Sequence, residues 1–268
     1  MTRFLTLPFL ALSFLSPIAI AQDNAVQVNA PATHKMQSPD PKATLAELES
    51  QGDTLRAEKA FLDAMDFYQA ALKKATNSQE KSQIWNKMGI AELQTGHFPQ
   101  AKKAFERAIK GDPTFPEPHN NLGVVYYEAK KYDKAIKNYE KAIALKETSA
   151  SFHSNLGSAY FSKQDFDRAS GEYGRALQLD PNIFQHKSQI GIAAQMSSPE
   201  DRAHYSYVLA RMYAKAGMID QALLYLRHAM EDGYKDIDDV YKENEFAELR
   251  KDPRFSELMS QRPQAIAQ

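Results

Sequence analysis

Apolar residues recur along this chain at two nested periods. The short period is helical. Trp85, Met88 and Gly89 lie three and then one residue apart, and Ala101, Phe105 and Ala108 follow at spacings of four and three. Such spacings place side chains on one stripe of a helix. The long period is 34 residues: His119, Leu122, Gly123 and then His153, Leu156, Gly157 repeat the first set, and Ala135, Tyr139, Ala142 and then Ala169, Tyr173, Ala176 repeat the second. Between the two stripes of each unit stand short polar stretches, Thr95-Gly96-His97, Lys130-Lys131 and Lys163-Gln164-Asp165. Pro99 suits the first turn of a helix, and Asp112-Pro113 and Asp180-Pro181 stop one. The pattern predicts one antiparallel helical hairpin per unit, with small residues where two helices meet closely and large ones filling the space beside them.

With Trp85, Met88-Gly89, Ala101, Phe105, Ala108 and Pro113 in these places, the unit resembles the tetratricopeptide repeat, and so do the two units after it. The resemblance implies an all-α fold, a right-handed superhelical solenoid of antiparallel hairpins. Units are expected near 45–78, 82–115, 116–149, 150–183 and 203–236, an array over 44–236. The first unit is weaker: Gly52, Ala64, Tyr68 and Ala71 match, but Gln51 replaces the usual leucine. A strict period would start the last unit at Phe184. The stretch from Lys215 to Ala222 is the better inter-helix turn, so residues 184–202 are expected to be an irregular insertion. Residues 237–268, with Val240, Phe246, Leu249, Phe255 and Leu258, are expected to fold into short capping helices, because an open solenoid end exposes core.

In this family the stripe of each first helix not used within the hairpin lines a concave peptide groove. The resemblance therefore implies a peptide-binding surface at Asn86, Ile90, Asn120, Asn121, Val124, Tyr127, Asn155, Ser158, Phe161, Tyr207 and Arg211. Asn121 and Asn155 hold the same place 34 residues apart. An asparagine offers both a donor and an acceptor, so such a ladder can grip an extended backbone. The competing reading is that the asparagines satisfy neighbouring helices and the apolar residues pack between units. Arg211, near Lys215, suits a carboxylate. The carboxylate clamp of chaperone-binding relatives does not carry over, since its ninth-place asparagine is replaced by Ile90 and Val124.

The N-terminus adds a destination. Arg3 precedes an apolar stretch from Phe4 that closes with Ala19-Ile20-Ala21. That reads as a secretory signal peptide over 1–21, cut after Ala21, and it predicts a periplasmic or secreted protein; a retained membrane anchor is the alternative. Residues 22–43, rich in Pro, Gln and Asn and without an aromatic, read as a disordered linker.

Composition then narrows the chemistry. The chain has no cysteine, which removes disulfides, thiolate metal sites and cysteine catalysis. A formal net charge of −1 gives no bulk attraction to nucleic acid. Lys102-Lys103 and Lys130-Lys131 are flanked by acids and read as solvated faces. His119 and His153 share one place of the repeat but lack a third metal ligand, and no nucleophile–base pairing or phosphate loop is present. The expectation is a non-catalytic scaffold without cofactor or metal. Its partner would be a protein or peptide, with no nucleic acid and no membrane span in the mature chain. The alternative is a self-assembling component of an envelope complex or a homo-oligomer.

Overall fold

The computed structural model describes residues 38–184 and 198–263. The expected signal peptide, residues 22–37 of the expected linker, residues 185–197 and residues 264–268 therefore lie outside the described residues. Eleven α-helices, three 3-10 turns and no strand are present among those described. Four hairpins follow in order: α1 (Leu45–Ala57) with α2 (Phe61–Lys74), α3 (Ser78–Gln94) with α4 (Phe98–Gly111), α5 (Pro116–Glu128) with α6 (Tyr132–Leu145), and α7 (Ala150–Ser162) with α8 (Phe166–Leu179). A further hairpin pairs α9 (Pro199–Lys215) with α10 (Ile219–Glu231). The chain closes with 3-10 turns over Ile237–Tyr241, Asn244–Phe246 and Leu249–Lys251, and with α11 (Pro253–Ser260).

Each early hairpin is zipped by a glycine on its first helix and an aromatic ring on its second. A Cβ at Gly52, Gly89, Gly123 or Gly157 would stand 2.6, 2.5, 2.5 or 2.6 Å from the ring of Tyr68, Phe105, Tyr139 or Tyr173. The ring thus lies flat on the backbone, and the alanines flanking it are fully buried. The last hairpin solves the same contact differently. Ala210 stands where the others have glycine, and the smaller Leu226 replaces the ring; both are fully buried.

The turns repeat as faithfully as the cores. Lys59, Gly96, Lys130, Gln164 and Gly217 follow each first helix with φ of 63°, 80°, 55°, 61° and 73°. The next residue donates its N–H to the carbonyl five residues back, as in His97 to Glu92 and Lys131 to Tyr126, both at 2.8 Å. This closure reverses the chain within three residues and satisfies a helix-end carbonyl. Helix starts are fixed as locally. Thr44 and Asn77 form reciprocal capping boxes with Glu47 and Glu80.

Adjacent hairpins pack second helix against first helix, and the first helices α1, α3, α5 and α7 also touch in sequence. The row of first helices is therefore the inner face of the array. The structure corrects the expected insertion at its end: α9 begins at Pro199, with the Ser198 hydroxyl accepting from the N–H of Asp201. Residues 199–202 are the first turn of a helix, and Ser198-Pro199-Glu200-Asp201 is a cap, a first-turn proline and two first-turn acids. Of the linker, residues 38–43 are described; the N–H of Lys42 bonds to Asp40, and Lys74 reaches the Pro41 carbonyl. The C-terminal segment buries Ile237, Val240, Phe246, Leu249, Phe255, Leu258 and Met259 in the core that runs back to α6. Arg250 ties its turns together by donating to the carbonyls of Val240 and Glu243 at 2.7 and 2.8 Å.

Candidate functional site: the inner face of the first helices

The inner face is built on a polar spine. Asn121 donates to Asn86 at 3.0 Å, and Asn155 donates to Asn120 at 2.9 Å. Asn120 also donates to Asn121 at 3.3 Å, which joins the two pairs. At the N-terminal end Lys87 takes the equivalent role, 3.2 Å from Glu49 and 2.8 Å from Asp53. Lys87, Asn121 and Asn155 hold one place of the unit, and Glu49, Asn86 and Asn120 hold the place before it. Each unit thus gives a donor to an acceptor of the unit before it, so these contacts set how successive first helices align.

This geometry revises the expected peptide ladder. Asn121 is 0% exposed and Asn120 1% exposed, and their amides are matched to neighbouring helices. Asn86, Ile90, Ser158 and Phe161 are buried as well. Ser158 bonds to the carbonyl of Ser154 and receives the Tyr173 hydroxyl at 3.2 Å. Tyr68 likewise donates to Asp53 at 2.8 Å, whereas beside the apolar Ile90 the matching ring is Phe105, which has no hydroxyl to satisfy. Val124, Tyr127 and Asn155 remain half-buried. Tyr127 is held by Ser162 at 2.9 Å and by the Tyr132 ring at 5.5 Å, and burial raises its hydroxyl above the ordinary tyrosine range.

Tyr207 and Arg211 are corrected more sharply. The chain's own C-terminal segment covers them. Tyr207 stacks on Tyr234 at 4.2 Å and touches the Phe246 ring at 5.6 Å, and it is 2% exposed. Arg211 faces Glu243 at 3.7 Å, so its charge is answered within the chain. Burial raises the Glu243 carboxyl above the ordinary range, and Arg211 partly offsets that shift. The half-buried residues near this end include His204, stacked on Phe166 at 3.7 Å, whose imidazole is held less basic by burial.

The repeat histidines act within the scaffold. His153 contacts Glu172 at 2.7 Å through Nδ1 and the Glu147 carbonyl at 3.0 Å through Nε2. His119 is buried, which lowers its basicity. Among the described residues no three His, Asp or Glu side chains gather closely enough to hold a metal. No helix there is long and apolar enough to cross a membrane.

Replacing Asn121 by alanine is expected to lower stability by about 1–3 kcal/mol, because both Asn86 and Asn120 lose a buried partner. Urea unfolding followed by circular dichroism measures this. An unshifted midpoint would show that the spine contributes nothing.

The sequence matches the family described as TPR repeat at residues 89–130 and 125–163, and that described as tetratricopeptide repeat at 150–183. No curated protein is matched. Among solved structures, MamA is 22% identical, with 70% of this chain and 96% of that chain covered and a TM-score of 0.47. A thermophilic TPR protein of Thermus thermophilus is 19% identical, with 81% and 100% covered and a TM-score of 0.49. YrrB, described as a TPR protein with an unusual peptide-binding site, is 17% identical, with 73% and 90% covered and a TM-score of 0.45. Residues 89–183 are thus tetratricopeptide repeats, and they are continued on either side by helix pairs of the same build.

Proposed function

We propose that this protein is a non-catalytic interaction scaffold that holds a peptide or protein partner on the inner face of its first helices, after export to the periplasm or beyond. The observation that carries this reading is the continuous row of first helices locked in register by the asparagine spine. A rigid row pre-arranges its side chains, so a partner is bound with little loss of freedom in the scaffold. The spine residues serve that rigidity. Contact with the partner falls to Val124 and Tyr127, the half-buried members of the predicted set outside the spine, and to Asn155, the spine asparagine that is itself only half-buried. Arg211 and Tyr207 mark the end of the usable face, where the C-terminal segment lies over it.

A photo-crosslinking residue at Val124 is expected to trap a partner in intact cells, and the same residue at Leu224, exposed on the second helix of the last hairpin, is not. Equal trapping at both positions would sink the inner-face reading. N-terminal sequencing of the recovered protein tests export at the same time. A mature start at Gln22 supports it, and a chain that still begins at Met1 counts against cleavage.

A further inference from the structure

The outer surface of the array differs from the inner one in charge. The second helices α2, α4, α6 and α8 carry eleven basic and seven acidic residues, whereas the first helices α1, α3, α5 and α7 carry three and seven. A chain close to neutral as a whole is therefore polarised across its width. The basic excess is greatest on α4 and α6, the second helices of successive units.

On α6, Lys134, Lys137 and Lys141 stand on one helical stripe, all exposed, and none of them forms an ion pair among the described residues. The acids of this helix have partners of their own. Asp133 is bound by Lys163, and Glu140 accepts the Tyr160 hydroxyl at 3.2 Å. The three lysines border a concavity of about 510 Å³ whose remaining walls are Tyr126, Asn138, Glu140 and Ala144. The Tyr126 ring already draws cations, with Lys134 at 5.7 Å and Lys102 at 6.0 Å from its centre.

We infer that this outer face of α6 is a second docking surface, taking an acidic segment of a partner protein. Three features select that occupant. The lysines span about 10 Å along the helix axis, a row of single charges that matches successive carboxylates better than one compact phosphate. The floor between them is apolar, made by the Tyr126 ring, Ala144 and the lysine stems, so it can cover the side chains of a peptide as well as its charges. Glu140 stands on the same face, so a flat anionic membrane would press its charge against that carboxylate, whereas a discrete segment can set its own carboxylates against the lysines and not against it. This surface is separate from the inner face, which leaves one scaffold able to hold two partners at once.

Fluorescence anisotropy with a labelled hexaglutamate peptide tests the assignment on the full chain. Saturable binding that weakens with salt is expected, with affinity falling about tenfold in the Lys134→Gln, Lys137→Gln, Lys141→Gln variant. All three side chains are exposed, so helicity should be unchanged; Lys137→Gln alone should give a smaller loss in the same direction. Leu224→Glu, an added acid at an exposed place on the last hairpin that belongs to neither surface, should leave this binding as it is. Equal binding by the wild type and the triple variant would overturn the proposal. So would a preference for phosphatidylglycerol vesicles or tripolyphosphate over the peptide.

Discussion

Replacing Phe246 by alanine is expected to destabilise the C-terminal end of the array by about 3–5 kcal/mol. The ring is fully buried, yet it sits on a 3-10 turn of only three residues, Asn244–Phe246. So short a turn has almost no hydrogen-bonded structure of its own. What holds the segment is apolar burial, by Phe246 against Tyr207 and by Val240, Leu249 and Phe255 around it. Removing the ring opens a cavity between the segment and α9 and frees Tyr207 from one of its two aromatic neighbours. The effect should be local, since the early hairpins have cores of their own. Limited proteolysis should therefore cut the variant within residues 234–263 under conditions that leave the wild type intact. An unchanged cleavage pattern together with an unchanged unfolding midpoint would mean that the cap is held some other way.

Gly123→Ala is expected to destabilise by about 1–3 kcal/mol, against the usual sign of that change. Alanine normally strengthens a helix interior by about 1 kcal/mol relative to glycine. Here the added methyl would meet Tyr139 Cε1 at 2.5 Å and Cδ1 at 2.6 Å, and the ring is buried with no room to withdraw. The last hairpin shows the remedy, with Ala210 facing Leu226 in the equivalent places. The double change Gly123→Ala with Tyr139→Leu should then lose less than the two single changes together. Denaturant unfolding of all four proteins measures that coupling. If Gly123→Ala is as stable as the wild type, the ring does not lie on the helix backbone.

Much of the scaffold is legible in the sequence because it rests on contacts within one unit. A glycine twelve residues before an alanine and sixteen before an aromatic, three times over, specifies a close helix pair directly. Relations between units are harder to read. The asparagine spine is visible as two 35-residue separations, Asn86 to Asn121 and Asn120 to Asn155, but a one-dimensional pattern does not say whether an asparagine faces a ligand or a neighbouring helix. The tail is harder still. Glu243 answers Arg211 from an irregular segment with no period to follow, so nothing in the spacing links them. The start of α9 is obscured for a different reason. Its proline reads as a break in isolation, whereas after Ser198 it is a first-turn residue.

The spine has a consequence for how such a chain can grow. The unit at 116–149 carries an acceptor asparagine at 120 on one edge and a donor asparagine at 121 on the other. A tandem copy of that unit would present to its twin the same match that it now makes with its neighbours. Lengthening the array by gene duplication is therefore chemically easiest in its middle. At the far end the C-terminal segment, already folded over the last hairpin, leaves no matching edge for another repeat.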